Sequence, residues 1–302
     1  LAFGDQDNTL WVVEVDDGHL TRIDRSSIGN AITEYVFSPD GAHLVYVKND
    51  AAGIERLWVH SEGAGARQLT FGDFDADSPA FDPQGRYLYF TSNRDHNLVF
   101  SSYEFNYLYA NGTRVYAATL AADGPALFRP KSDEVKGKAS SAADDKDADK
   151  LRFDVEGFDS RVVGLPIAPG NYAALSANAQ GVFYVALPGG LGGAGELKFF
   201  DLKAEKEESV LKGITGYGLA AGGEKLWFRS GPSNIGIADA KPGQDASKLV
   251  DLSRLELKID PGVEWAQMYR DGWRIWRDWF YDPGMHGQDW EAIYQKYLPW
   301  LD

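Results

Sequence analysis

The feature that most constrains this chain is a turn that recurs. Residues 31–37 and 42–47 are apolar-rich runs on either side of Ser38-Pro39-Asp40-Gly41. Proline presets a turn φ, aspartate accepts local backbone hydrogen bonds and glycine adopts positive φ without steric cost, so the tetrapeptide predicts a hairpin turn. The pattern returns as Asp77-Ser78-Pro79-Ala80-Phe81-Asp82-Pro83-Gln84-Gly85, followed by Arg86-Tyr87-Leu88-Tyr89-Phe90, with Gly41 and Gly85 separated by 44 positions. Weaker copies place Gly181 and Gly223 42 positions apart. A repeating unit of about 40–45 residues holding several short strands is the signature of a β-propeller blade. The expected fold is mainly β: a partial β-propeller of four-stranded antiparallel blades, followed by a short α-helical segment.

Read in order, residues 10–15 and 20–23 predict strand, turn, strand, and the same shape recurs at 56–60 and 67–70. In a blade these are the third and outer fourth strands, while the Pro-Gly turn joins the first and second. Residues 31–75 form one nearly complete unit, and a second opens at Ala76 with its third strand at 114–119. Residues 131–150 are almost entirely charged or small and lack apolar periodicity, which predicts an exposed, mobile loop. Strand character resumes at 151–155 and 161–166. The end of one blade plus about four blades thus fill residues 1–260. Beyond Asp260-Pro261-Gly262 the period changes. Trp265, Met268, Ile275, Trp276 and Trp279 recur at helical steps, Asp282-Pro283-Gly284 stops that helix, and Asp289 caps a second. Residues 261–302 are therefore expected to begin a helical domain. Six of the nine tryptophans fall there, more than two short helices bury between themselves, so a packing partner is expected elsewhere. The chain starts at Leu1 and stops as a helix is under way, and it is expected to be a piece of something longer.

Composition closes several routes. A net charge of -15, from 30 basic and 45 acidic residues, argues against nucleic acid, since phosphate binding needs a basic surface. Without cysteine there is no disulfide, thiol nucleophile or Cys-ligated metal. No apolar run approaches the ~20 residues of a membrane span, so no membrane partner is expected. The histidines, His19, His43, His60, His96 and His286, are scattered without an i, i+4 pair and read as structural or surface residues. Gly190-Leu191-Gly192-Gly193-Ala194-Gly195 matches G-x-G-x-x-G but leads into a strand, whereas a dinucleotide site needs a helix N-terminus. Asp145, Asp147, Asp149 and Glu156 stand at calcium-loop spacing, yet Lys150 occupies the position where the loop needs glycine. Gly231-Pro232-Ser233-Asn234 fails as a nucleophile elbow. No catalytic, cofactor-binding or metal residue is assigned, and no cofactor is expected.

The segments Leu69-Thr70, Pro79 to Gly85 and Thr91-Ser92-Asn93 resemble the blades of TolB-type and peptidase-associated propellers. A more specific set, in order, is residues 128–134, the run Phe153-Asp154-Val155-Glu156-Gly157-Phe158-Asp159-Ser160-Arg161-Val162-Val163-Gly164-Leu165-Pro166, and residues 264–290 with Arg277-Asp278-Trp279-Phe280-Tyr281-Asp282-Pro283-Gly284-Met285-His286. Together these resemble a bacterial branch of the tricorn protease family over nearly the whole chain. The resemblance implies the rear of the second of two propellers plus the start of the helical domain. It implies a parent that is a serine-type peptidase of the C-terminal processing class, acting on oligopeptides, with a propeller that gates and channels peptide substrate. The family's Ser-His pair and nucleophilic serine belong to later domains, so no catalytic residue carries over, and His286 is not the family's catalytic histidine. The expected partners are peptide substrate, the remaining domains of the parent and further copies of it; a cytoplasmic location is expected. Two other readings stay open: a TolB-like propeller acting as a protein-binding scaffold, and the propeller of a prolyl-oligopeptidase-like enzyme.

Overall fold

Among the described residues five antiparallel sheets follow one another along the chain, their strands in sequence order save where a two-stranded hairpin interrupts the third. A computed structural model describes residues 1–109, 111–128, 151–189 and 193–301. The first sheet holds β1 (Ala2–Gly4), β2 (Thr9–Val13) and β3 (Leu20–Arg25). The second holds β4 (Tyr35–Phe37), β5 (His43–Asn49), β6 (Glu55–Ser61) and β7 (Gly65–Gln68). The third runs β8 (Ala76–Phe81), β9 (Tyr87–Ser92), β12 (Arg114–Thr119) and β13 (Val162–Gly164), interrupted after β9 by a separate hairpin, β10 (Leu98–Ser101) and β11 (Asn106–Tyr109). The fourth holds β14 (Tyr172–Asn178), β15 (Gly181–Ala186), β16 (Gly195–Asp201) and β17 (Lys206–Ile214). The fifth holds β18 (Gly216–Leu219), β19 (Lys225–Arg229) and β20 (Ile235–Asp239), and Leu249 adds a single bridge to Gly236.

The recurring turn has one hydrogen-bond plan. Ser38 N–H donates to the His43 carbonyl and Gly41 N–H to the Ser38 carbonyl; Asp82, Tyr87 and Gly85 repeat this, as do Ala220, Lys225 and Gly223. The glycines sit at φ 75°, 68° and 70°. The copy at Asn178 differs, because its side-chain oxygen takes the N–H groups of Gln180 and Gly181.

Each buried cluster draws on two consecutive sheets. Leu10 meets Leu44 and Tyr46 between the first and second. Leu57 and Val59 meet Leu88 and Phe90 between the second and third, and Tyr89 meets Tyr184 and Phe200 between the third and fourth. Leu197 and Val210 meet Leu226 and Phe228 between the fourth and fifth. Sheets stacked face to face, each apolar on both faces, make the radial packing of a propeller. The first strands of consecutive sheets, β4 with β8, β8 with β14 and β14 with β18, lie against one another and form the inner rim.

Residues 151–155 make no strand. Asp154 N–H donates to the Leu120 carbonyl at 2.9 Å, and Leu151 and Phe153 pack into the core between the second and third sheets. The Arg161 guanidinium fills the end of the third sheet instead, donating to the carbonyls of Thr119 at 3.0 Å, Glu156 at 2.8 Å and Asp154. The expected mobile loop at 131–150 lies outside the described residues.

The chain divides into two compact units, residues 1–250 and 251–302. The second contains α1 (Pro261–Trp279), N-capped by Asp260, and α2 (Trp290–Tyr297), N-capped by Asp289. The two helices lock through reciprocal bonds: Trp273 Nε1 donates to the Trp290 carbonyl at 2.9 Å and Trp290 Nε1 to the Trp273 carbonyl at 3.0 Å. No residue of either helix is buried, and Trp265, Trp276 and Trp279 stay exposed. Among the described residues no helix is long and apolar enough to cross a membrane.

Candidate functional site

The inner rim carries a repeated irregularity. In β8, Asp77 pairs with Thr91 and Ala80 with Tyr89, so Ser78 and Pro79 together stand opposite Phe90. In β14, Ala173 pairs with Val185 and Ser176 with Phe183, so Ala174 and Leu175 stand opposite Tyr184. Both are bulges of two residues against one, which unpair the ladder locally and turn main-chain groups away from their own sheet. The first residue of each is left-handed, with φ 52° at Ser78 and 54° at Ala174. Pro79 has no N–H to give to a ladder, which is the local cause of the first bulge. A neighbouring sheet holds each one in place. Glu34 Oε2 accepts from Ser78 N–H at 2.7 Å, and the Tyr217 hydroxyl donates to the Ala174 carbonyl at 2.7 Å.

Carboxylates gather where β4, β6 and β8 begin. Asp75 is fixed by Glu55 N–H at 3.0 Å and by Asn93 Nδ2 at 2.9 Å. Asp77 takes the Thr91 hydroxyl. Burial pushes the Asp77 carboxyl up to about 6 despite that bond, with Glu34 and Asp75 adding repulsion. Burial also pushes Glu55 up to about 7, helped by the charges of Asp77, Asp75 and Glu34. Near neutral pH these two groups hold a fraction of their protons, so they both donate and accept.

Within the propeller segment, the described histidines weighed from sequence stand outside this acid cluster. His43 Nδ1 lies 2.7 Å from Ser61 Oγ, and its ring meets Phe153 edge-on at 5.3 Å. His43 and His60 border a groove of about 180 Å³ between the first and second sheets. Burial lowers the pKa of both. His19 is exposed in a turn, and His96 sits at φ 46° beside Phe74. His286 lies in the helix-to-helix turn, bonded to the Tyr281 hydroxyl. Among the described residues no set of histidine and acidic side chains is placed to hold a metal ion. The glycine-rich stretch at 190–195 connects antiparallel neighbours β15 and β16, though residues 190–192 lie outside the described residues. Asp145, Asp147, Asp149 and Lys150 also lie outside them, while Glu156 pairs with Arg67. Ser233 is in the connection between β19 and β20.

Sequence reasoning missed the bulges and the hairpin β10–β11. A proline inside a predicted strand, Pro79, is the signal that marks the first bulge. Nothing local marks Ala174, whose bulge becomes visible only once β14 is laid against β15.

Stacked antiparallel sheets with their first strands on an inner rim define a β-propeller segment, here followed by a separate helical unit. The family model described as the tricorn protease second beta propeller domain matches residues 1–239, and that of the tricorn protease C1 domain matches residues 261–302. The chain belongs to the tricorn protease family. It is 28% identical to tricorn protease homolog 1 of Streptomyces coelicolor, over 100% of this chain and 30% of that protein. It is 23% identical to tricorn protease of Thermoplasma volcanium, over 98% of this chain and 29% of that protein. A crystal structure of the tricorn protease shares the fold with a TM-score of 0.80 at 19% identity, covering 99% of this chain and 30% of that one. The chain thus spans about a third of the length of these relatives.

Proposed function

We propose that this chain is the non-catalytic portion of a serine-type peptidase that degrades oligopeptides, and that its propeller gates and channels the peptide substrate. The reading is supported by the match of residues 1–239 to the tricorn protease second beta propeller domain and by the pair of bulges on consecutive first strands, which breaks the main-chain ladder at the inner rim beside the Ser78 N–H and Ala174 carbonyl that Glu34 and Tyr217 hold. Main-chain groups recognise a polypeptide whatever its side chains, and a passage for unrelated peptides needs that kind of contact. Glu55, pushed up to about 7 beside the rim, is partly protonated near neutral pH and adds a group that serves as either donor or acceptor to a passing amide. In this reading the nucleophilic serine and its histidine come from other domains of the parent, and the parent is a cytoplasmic homo-oligomer of the bacterial branch of the family.

The chain is expected to bind a fluorescein-labelled, unstructured decapeptide, read by anisotropy, and to return it uncut, read by mass spectrometry. Cleavage by the chain alone overturns the division of roles. Failure of the peptide to bind overturns the passage.

A further inference from the structure

The hairpin β10–β11 rises from a base that is held from several sides. The Arg94 guanidinium lies over the rings of Phe74 at 4.5 Å, Tyr116 at 5.1 Å and Phe90 at 5.4 Å, and it meets Asp159 at 3.5 Å. Asp95 takes Arg114 at 2.8 Å and the Tyr116 hydroxyl at 2.6 Å. On the far side Thr113 and Gly170 exchange both backbone bonds at 2.8 Å.

The hairpin itself is left bare. Among the described residues no strand pairs with the outer edge of β10 or of β11. Phe100 packs on Phe105 and Tyr107 at 5.4 Å each, yet Phe105 is 83% exposed and Tyr103 at the tip 97%. Val99 and Leu108 are exposed on the opposite face. Exposed edges are ordinarily blunted with lysine or proline. Residues 98–109 contain no Lys, Arg or Pro, and their one charge is Glu104.

We propose that this hairpin is a docking strand that captures an extended, apolar and uncharged stretch of polypeptide by edge-to-edge β pairing. The proposal rests on the reading of the propeller as a peptide route. Tyr107 N–H faces outward, where it donates to the Asn106 side chain at 2.8 Å. Its partner Phe100 therefore presents both N–H and C=O along the outer edge of β10. A free main-chain edge is completed by another main chain. Apolar side chains on both faces match apolar side chains at either parity of the incoming strand. On a chain of net charge -15, a nearly neutral patch suits a neutral segment. A second copy of the chain fits less well. It brings a further -15 charge, and an edge only four residues, about 13 Å, long is short for the broad interface that stable complexes bury. Such an edge suits the brief hold that a passage requires.

The test uses a fluorescein-labelled decapeptide of alternating valine and alanine, and the same peptide N-methylated at alternate residues. Binding to the 302-residue chain and to a Phe100→Ser, Phe105→Ser, Tyr107→Ser variant is followed by anisotropy, with sedimentation and thermal melting alongside. The unmodified peptide is expected to bind the variant at least tenfold more weakly than the parent chain, with melting unchanged. The N-methylated peptide is expected to bind the parent chain at least tenfold more weakly, and this comparison holds even where the variant is destabilised. Equal binding to both proteins overturns the docking strand and leaves the passage standing, whereas equal binding of both peptides overturns both. No binding to the parent chain overturns both. A dimer lost in the variant, with peptide binding kept, overturns the proposal in favour of a second copy.

Discussion

Glu55 and Asp77 are acids kept near their rim by backbone geometry and not by cations. Their folded-state values, about 7 and about 6, lie above the ordinary carboxylate range. At these two sites the folded chain therefore holds more protons than the unfolded chain between roughly pH 4 and 7. A group raised in this way favours folding below its unfolded value and opposes it as pH climbs through the folded one. Stability from these two sites falls across that window. Glu55→Gln is expected to raise stability at pH 8 by about 1 kcal/mol, less than the full shift implies because Glu55 is half-buried, and to change little at pH 4. Thermal melts at the two pH values check this, and an equal gain at both removes the acid cluster as the cause. The position of these acids was not legible in the sequence. With 45 acidic residues in the chain, nothing local distinguishes the few that the packing of the second and third sheets brings together.

At the scale of the element, the turns were legible and the strand registers were not. Gly41 and Gly181 stand at corresponding turns for different reasons. Gly41 has φ 75° with open space around it, whereas a Cβ on Gly181 would lie 2.0 Å from the Phe200 carbonyl oxygen. Gly41→Ala is expected to cost about 1 kcal/mol, from backbone strain. Gly181→Ala is expected to cost about 1–3 kcal/mol, because the obstacle is backbone that cannot step aside. Urea denaturation of the two variants compares them, and a smaller loss at Gly181 contradicts the close approach. The repeat was readable because Pro, Asp and Gly act within four residues. Residues 151–155 read as strand because their apolar pattern is right, but the edge they would pair with is occupied by the Arg161 side chain and β13. The helices were readable from their period and from the capping acids Asp260 and Asp289.

Across the whole molecule, the propeller segment and the helical unit are separate compact bodies, with residues 251–259 in neither strand nor helix and all exposed. Leu255 and Leu257 are 77% and 85% exposed there. Brief trypsin treatment is expected to cut first after Arg254 or Lys258 in this segment, among the described residues, and to leave the sheets intact. First cleavage within β5 or β15 contradicts this. The sequence by itself determined the blade period, the turn chemistry, the change to helical period near residue 260 and the acidic balance. Each of these rests on interactions within a few residues or on composition. The tertiary structure decided the bulged inner rim, the gathering of Glu34, Glu55, Asp75 and Asp77, and the β10–β11 edges, which no strand pairs among the described residues. The bonds that staple the rim join residues 44 positions apart, as in Glu34 with Ser78, or 43 apart, as in Tyr217 with Ala174. That separation is about one blade, so the contacts exist only once consecutive blades have packed face to face.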